Sequence, residues 1–198
     1  MKSRLSILMI LAVTLSYCGT ESAKNSLEQR ASGQALPGPS NATSLGLEAR
    51  LDGRYAQRIR IEESAFTATQ PGDKIDLTFV ASGMSNVKQF EVRLEIDPAG
   101  ALTFDESSFA PAEPFVALPG HSIELMDGGQ WRTGGASFGE AKEGDDALGT
   151  LSLVASDRFI AGTRVKVRVA FFSLGPSFSD RDDYGATDLN MGLVINGD

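Results

Sequence analysis

The sequence predicts an all-β fold, a sandwich of antiparallel sheets, over residues 51–198, behind a signal peptide at 1–17 and a tether at 18–50. Three observations carry this. Apolar residues alternate with polar ones at a period of two, turn-forming clusters separate the alternating runs, and no stretch after residue 57 sustains an apolar stripe at a period of 3.6.

Alternation is clearest in Phe90-Glu91-Val92-Arg93-Leu94-Glu95-Ile96, where Phe90, Val92, Leu94 and Ile96 share one side and Glu91, Arg93 and Glu95 the other. The run Val165-Lys166-Val167-Arg168-Val169-Ala170-Phe171 repeats the design, and Ile75, Leu77 and Phe79 alternate with Lys74, Asp76 and Thr78. A strand with one dry and one wet face belongs to an antiparallel sheet stacked on a second one. The turns are Gln70-Pro71-Gly72-Asp73, Ala81-Ser82-Gly83, Asp97-Pro98-Ala99-Gly100, Asp127-Gly128-Gly129 and Ala161-Gly162. Single helical turns are expected at Asp105–Phe109, at Gly144–Ala147 and within Leu45–Tyr55.

The N-terminal region has a different character. Lys2 and Arg4 precede Leu5–Leu15, a short apolar run that matches the h-region of an export signal rather than a membrane span. Leu15-Ser16-Tyr17-Cys18-Gly19 resembles a bacterial lipobox, which implies acylation of Cys18; Tyr17 departs from the small residue usual before the cysteine. Gly19–Arg50 is rich in breakers, with Pro37-Gly38-Pro39 and Ser40-Asn41-Ala42-Thr43-Ser44. A flexible chain of this length averages on the order of 30 Å end to end, enough to hold a domain clear of a membrane.

Charge and composition exclude several functions. The net charge is −8, and loss of residues 1–17, which carry Lys2, Arg4 and no acid, leaves 16 basic against 26 acidic residues. Nucleic-acid binding needs the opposite sign. One cysteine and one histidine, Cys18 and His121, allow no disulfide and no thiolate or imidazole metal cluster. His121 follows Pro119-Gly120, and no nucleophile-elbow sequence accompanies it. The expectation is a protein without catalytic residues or a required cofactor.

Residues 57–196 resemble a cohesin domain, or a close relative in the cohesin and carbohydrate-binding superfamily. Four elements in order carry the likeness. Gln70-Pro71-Gly72-Asp73 leads into Ile75–Val80, and Asn86–Ile96 ends in Asp97-Pro98. Trp131–Phe138 stands at the mid-domain strand, and Gly144-Asp145-Asp146-Ala147 precedes Leu148–Val154. The resemblance implies a jelly-roll sandwich of about nine strands. It also implies a binding module that docks a protein partner, such as a dockerin, through one sheet face.

Three candidate sites follow. Glu91, Arg93 and Glu95, on the wet side of their strand, are candidates for contacting a protein partner. Trp131 and Tyr184 are candidates for stacking on a polysaccharide, since their rings combine an apolar face with a polar group. Asp180, Asp182, Asp183 and Asp188 could supply oxygen ligands to calcium. That loop is not an EF-hand: counting from Asp180, Tyr184 stands at position 5 and Met191 at position 12. A second acidic loop, Glu140–Asp146, is expected to keep a sheet edge soluble.

Overall fold

A computed structural model describes residues 45–63, 70–105, 107–117, 123–126 and 128–197. Cys18, the export signal, most of the tether and His121 lie outside the described residues.

Twelve strands and one helical turn are present among the described residues: β1 (Glu48–Arg50), β2 (Arg58–Glu63), β3 (Lys74–Val87), β4 (Gln89–Asp97), β5 (Leu102–Thr103), β6 (Phe109–Pro111), β7 (Ile123–Leu125), β8 (Trp131–Ala136), β9 (Lys142–Ala155), β10 (Arg164–Ser177), β11 (Asp180–Gly185), α1 (Ala186–Leu189) and β12 (Gly192–Asn196). Sheet A runs β1-β2-β3-β9-β5, with β6 also on β9. Sheet B runs β11-β10-β4-β8-β7, with β12 also on β10. Every strand pair is antiparallel. The count exceeds nine because β1, β5, β6 and β7 are edge pieces of two or three residues, too short to show a period.

The crossing from β3 in sheet A to β4 in sheet B takes one residue. Val87 pairs with Lys142 in sheet A, and Gln89 pairs with Gly175 and Ala136 in sheet B. Between them, the Lys88 N–H donates to Gly175 O (3.0 Å) and its carbonyl accepts from Ser137 N–H (2.7 Å). The chain thus changes sheets without leaving a backbone group unpaired.

The core is the set that alternation selects. Ile75, Leu77 and Phe79 of β3, Val92 and Leu94 of β4, Leu151 and Leu153 of β9, and Val165, Val167 and Val169 of β10 are buried. Each such side chain contributes about 2 kcal/mol through burial.

The local expectations meet three outcomes. Asp105–Ser108 does close a turn, with Ser108 N–H donating to Asp105 O (3.1 Å). Leu45–Tyr55 is not helical: Glu48–Arg50 pairs with Arg58–Arg60, so the last residues assigned to the tether belong to sheet A. Gly144–Ala147 is not a helical turn either; it lies in β9 opposite a bulged stretch of β3. There the spare amides of Gly83 and Asn86 donate to Asp145 (2.7 Å) and Glu143 (2.8 Å). Acids expected to solubilise an edge instead cap a bulge.

Candidate docking face

Sheet B presents its outer face through alternate residues of β11, β10, β4, β8 and β7. Pairing puts Asp183, Ser173, Glu91 and Gly134 in one row, and Phe171, Arg93, Arg132 and Glu124 in the next. Glu91, Arg93 and Glu95 are therefore brought together on this face, half-buried among neighbours from other strands.

The neighbours pair their charges. Arg93 Nε donates to Glu91 Oε1 at 2.5 Å. Arg181 lies 3.7 Å from Glu91 and 2.9 Å from Asp183. Arg132 pairs with Glu124. Glu95 accepts from Gln130 Nε2 at 2.8 Å and lies 3.9 Å from Arg168. Ion pairs at a protein surface add little stability individually. Their effect is to hold long side chains in one arrangement.

A bulge adds an aromatic ring. Register slips between Val169 and Phe171, so that β4 residues Leu94 and Arg93 oppose β10 residues two apart. The extra residue, Ala170, reverses the alternation. Plain alternation groups Phe171 with Val165, Val167 and Val169; in the structure Phe172 takes the core place and Phe171 faces outward. The Arg93 guanidinium sits over the Phe171 ring, 4.3 Å from its centre.

Beside the ion pairs lies an apolar groove of about 220 Å³. It is lined by Phe90, Glu91, Arg132, Thr133, Gly134, Gly135 and Phe178. Phe178, on the β10–β11 turn, is 65% exposed. The floor is glycine for a steric reason: a Cβ on Gly134 would stand 2.3 Å from the Phe90 carbonyl oxygen. Phe171, Phe178, Arg132, Arg181 and Glu124 were not singled out from the sequence. Only the wet side of β8 and the odd placing of Phe178 in a turn could have signalled them.

The aromatic candidates for sugar binding do not form a platform. Tyr184 is 8% exposed and stacks inside on Phe172, with ring centres 6.3 Å apart. Trp131 pairs with Leu94 on the inward side of β8 and packs edge-on against Phe104 at 4.0 Å. Both rings are spent on the interior because their positions fall in phase with core residues. The Tyr184 hydroxyl is buried with no hydrogen-bond partner among the described residues, and desolvation pushes its pKa up to about 12, helped by the nearby Asp182 and Asp52 charges.

The four aspartates do not converge into a calcium site. Asp182 and Asp183 are consecutive in β11 and point to opposite faces. Asp182 accepts from the backbone N–H of Arg54 and Tyr55 and from Arg54 Nε. Asp180 accepts from the Tyr55 hydroxyl at 2.6 Å and pairs with Arg54 at 3.1 Å. The Tyr55 bond, followed by the Arg54 charge, holds the Asp180 carboxyl below the usual range despite opposing desolvation. Asp183 pairs with Arg181, and Asp188 accepts from Gly185 N–H (2.8 Å) beneath the α1 turn. Among the described residues no cluster of three or more metal-ligating groups occurs. Asp180 and Asp182 instead clasp the β1–β2 loop onto the edge of sheet B, and Gly53 completes the fit. A Cβ there would lie 1.9 Å from the Tyr184 oxygen.

No family model matches the chain. No curated protein matches it. Solved structures do. The cohesin module of a family 33 glycoside hydrolase from Clostridium perfringens superposes with a TM-score of 0.54 at 14% identity, covering 71% of this chain and 95% of that one. The seventh ScaB type I cohesin of Pseudobacteroides cellulosolvens gives 0.47 at 12% identity, over 71% and 92% of the two chains. The type II cohesin dyad of the ScaA scaffoldin of Acetivibrio cellulolyticus gives 0.48 at 14%, over 71% and 48%. The first of these carries the comparison, and at that identity the likeness is one of fold. With the two antiparallel sheets and their order, it shows that the described residues form a β-sandwich of cohesin-like fold.

Proposed function

We propose that this chain is a non-catalytic binding module, exported and lipid-anchored through Cys18, that docks a protein partner on the outer face of sheet B. The observation that carries the reading is the face itself. It joins a set of ion pairs around Arg93 to an apolar groove walled by Phe178. Exposed apolar surface rimmed by polar groups is characteristic of protein recognition. Docking a dockerin-like or other envelope protein is also what the cohesin resemblance implies. The tether, on the order of 30 Å long on average, would present the face away from the membrane.

The test is capture from an envelope extract of the cells that make the protein. The bait is the chain from residue 18 onward with Cys18→Ser, compared with the same chain carrying Glu91→Ala, Arg93→Ala and Glu95→Ala. A specific protein held by the first and released by the second supports docking here. Equal retention by both removes this face, and a shift in a polysaccharide retardation gel with no protein captured turns the reading to sugar. The anchor is tested separately: Cys18→Ser in the full-length chain should abolish incorporation of labelled fatty acid and move the protein from the membrane to the soluble fraction.

A further inference from the structure

The groove beside Phe178 restricts what the partner can offer. Two charged groups border it, and both are engaged: Glu91 with Arg93 and Arg181, Arg132 with Glu124. A charged occupant would lose water without meeting an unspent counter-charge, and desolvating an uncompensated charge is costly. The remaining lining is Phe178, the largely buried Phe90 and Thr133, and the glycines Gly134 and Gly135. With about 220 Å³, the groove exceeds the engineered apolar cavity of roughly 150 Å³ that takes up benzene.

Phe178 is a large apolar side chain left at the surface. It sits in the turn between β10 and β11, where small and polar residues are the rule, and it is 65% exposed. The hydroxyls of its neighbours Ser177 and Ser179 bond to each other, and Ser177 Oγ also accepts from Asp180 N–H, which shapes the turn without the ring. The ring forms one wall over a floor that steric crowding keeps free of side chains.

We propose that this groove receives one uncharged apolar side chain, aliphatic or aromatic, projected by the protein partner; the inference rests on the docking reading above. Neutral ionic surroundings place the affinity in the apolar contact, so the groove is the anchor and the ion pairs are its frame.

The groove can be probed without knowing the partner. N-acetyl-leucinamide and N-acetyl-phenylalaninamide are titrated into the chain from residue 18 onward, with the backbone amide spectrum followed by NMR. Controls are N-acetyl-lysinamide, N-acetyl-glutamate amide and N-acetylglucosamine. Saturable shifts at Thr133, Gly134 and Gly135 with the two apolar probes, weakened about tenfold in Phe178→Ala, are the expected result. Absence of such shifts, or equal shifts from a charged probe or the sugar, overturns the proposal. Phe178→Ala should likewise weaken capture of the partner about tenfold, and unchanged capture also overturns it. These outcomes separate from those that test the docking reading itself, which are equal retention by the triple alanine variant and polysaccharide binding with no protein captured.

Discussion

Arg93 of β4 lies over Phe171 of β10, its guanidinium carbon 4.3 Å from the ring centre. The pair exists because β10 carries one extra residue, Ala170, so that Phe171 and Arg93 stand opposite each other on the outer face of sheet B. A cation over an aromatic face contributes about 0.5–1 kcal/mol at an exposed site. Its larger consequence is positional: it keeps an apolar ring among the ion pairs of this face.

Adjacent phenylalanines in β10 should therefore respond very differently to truncation. Phe172 is fully buried. Phe172→Ala is expected to cost about 3–5 kcal/mol. Phe171→Ala removes a partly exposed ring and should cost under about 1 kcal/mol. Urea unfolding of the two variants measures both, and equal losses would contradict the bulged register.

Loss of the Asp182 carboxylate should free the β1–β2 loop. Asp182→Ala leaves the amides of Arg54 and Tyr55 without their acceptor and is expected to cost about 1–3 kcal/mol. Asp183→Ala, which breaks only a surface pair with Arg181, should stay within about 0.5 kcal/mol. Hydrogen exchange at Arg54 and Tyr55 is the local readout. Both amides should exchange faster in Asp182→Ala and remain unchanged in Asp183→Ala.

Alkaline stability should report the buried phenol. Burial raises the Tyr184 pKa from 10.0 to about 12, so above pH 10 the unfolded chain loses a proton that the folded chain keeps. The contribution is complete below about pH 10 and is lost as pH rises through about 12. Tyr184→Phe keeps the stack on Phe172 and removes a hydroxyl that has no partner among the described residues. It should be neutral or stabilising at pH 7, and it should flatten the decline between pH 10 and 12. Urea midpoints across that range decide the matter.

Calcium should have little influence on the folded domain. Asp180, Asp182, Asp183 and Asp188 each already accept from a protein donor. Millimolar calcium is expected to shift the thermal midpoint by less than about 1 °C relative to chelator, because only a ligand that binds the native state stabilises it. An upward shift of several degrees would show a site these contacts do not reveal.

Sheet formation and core composition were legible because they depend on local order. Phe90, Val92, Leu94 and Ile96 are all buried, as their spacing requires, since a strand can offer a core only every second residue. The same rule put Glu91, Arg93 and Glu95 together on the wet side, and the structure keeps them there. The likeness of fold to cohesins was visible too, through turns and strands in a set order.

Tertiary structure decided what alternation cannot express. One inserted residue at Ala170 turned Phe171 out of the core, because a single extra residue reverses the phase of everything after it. Which carboxylates became caps rather than free charges depended on amides distant in sequence: Asp182 meets Arg54 and Tyr55, and Asp145 meets Gly83. Trp131 and Tyr184 went inward for the same reason, since their surroundings come from other strands. A period of two states which side of its own strand a residue occupies; only the pairing of strands states what it meets there.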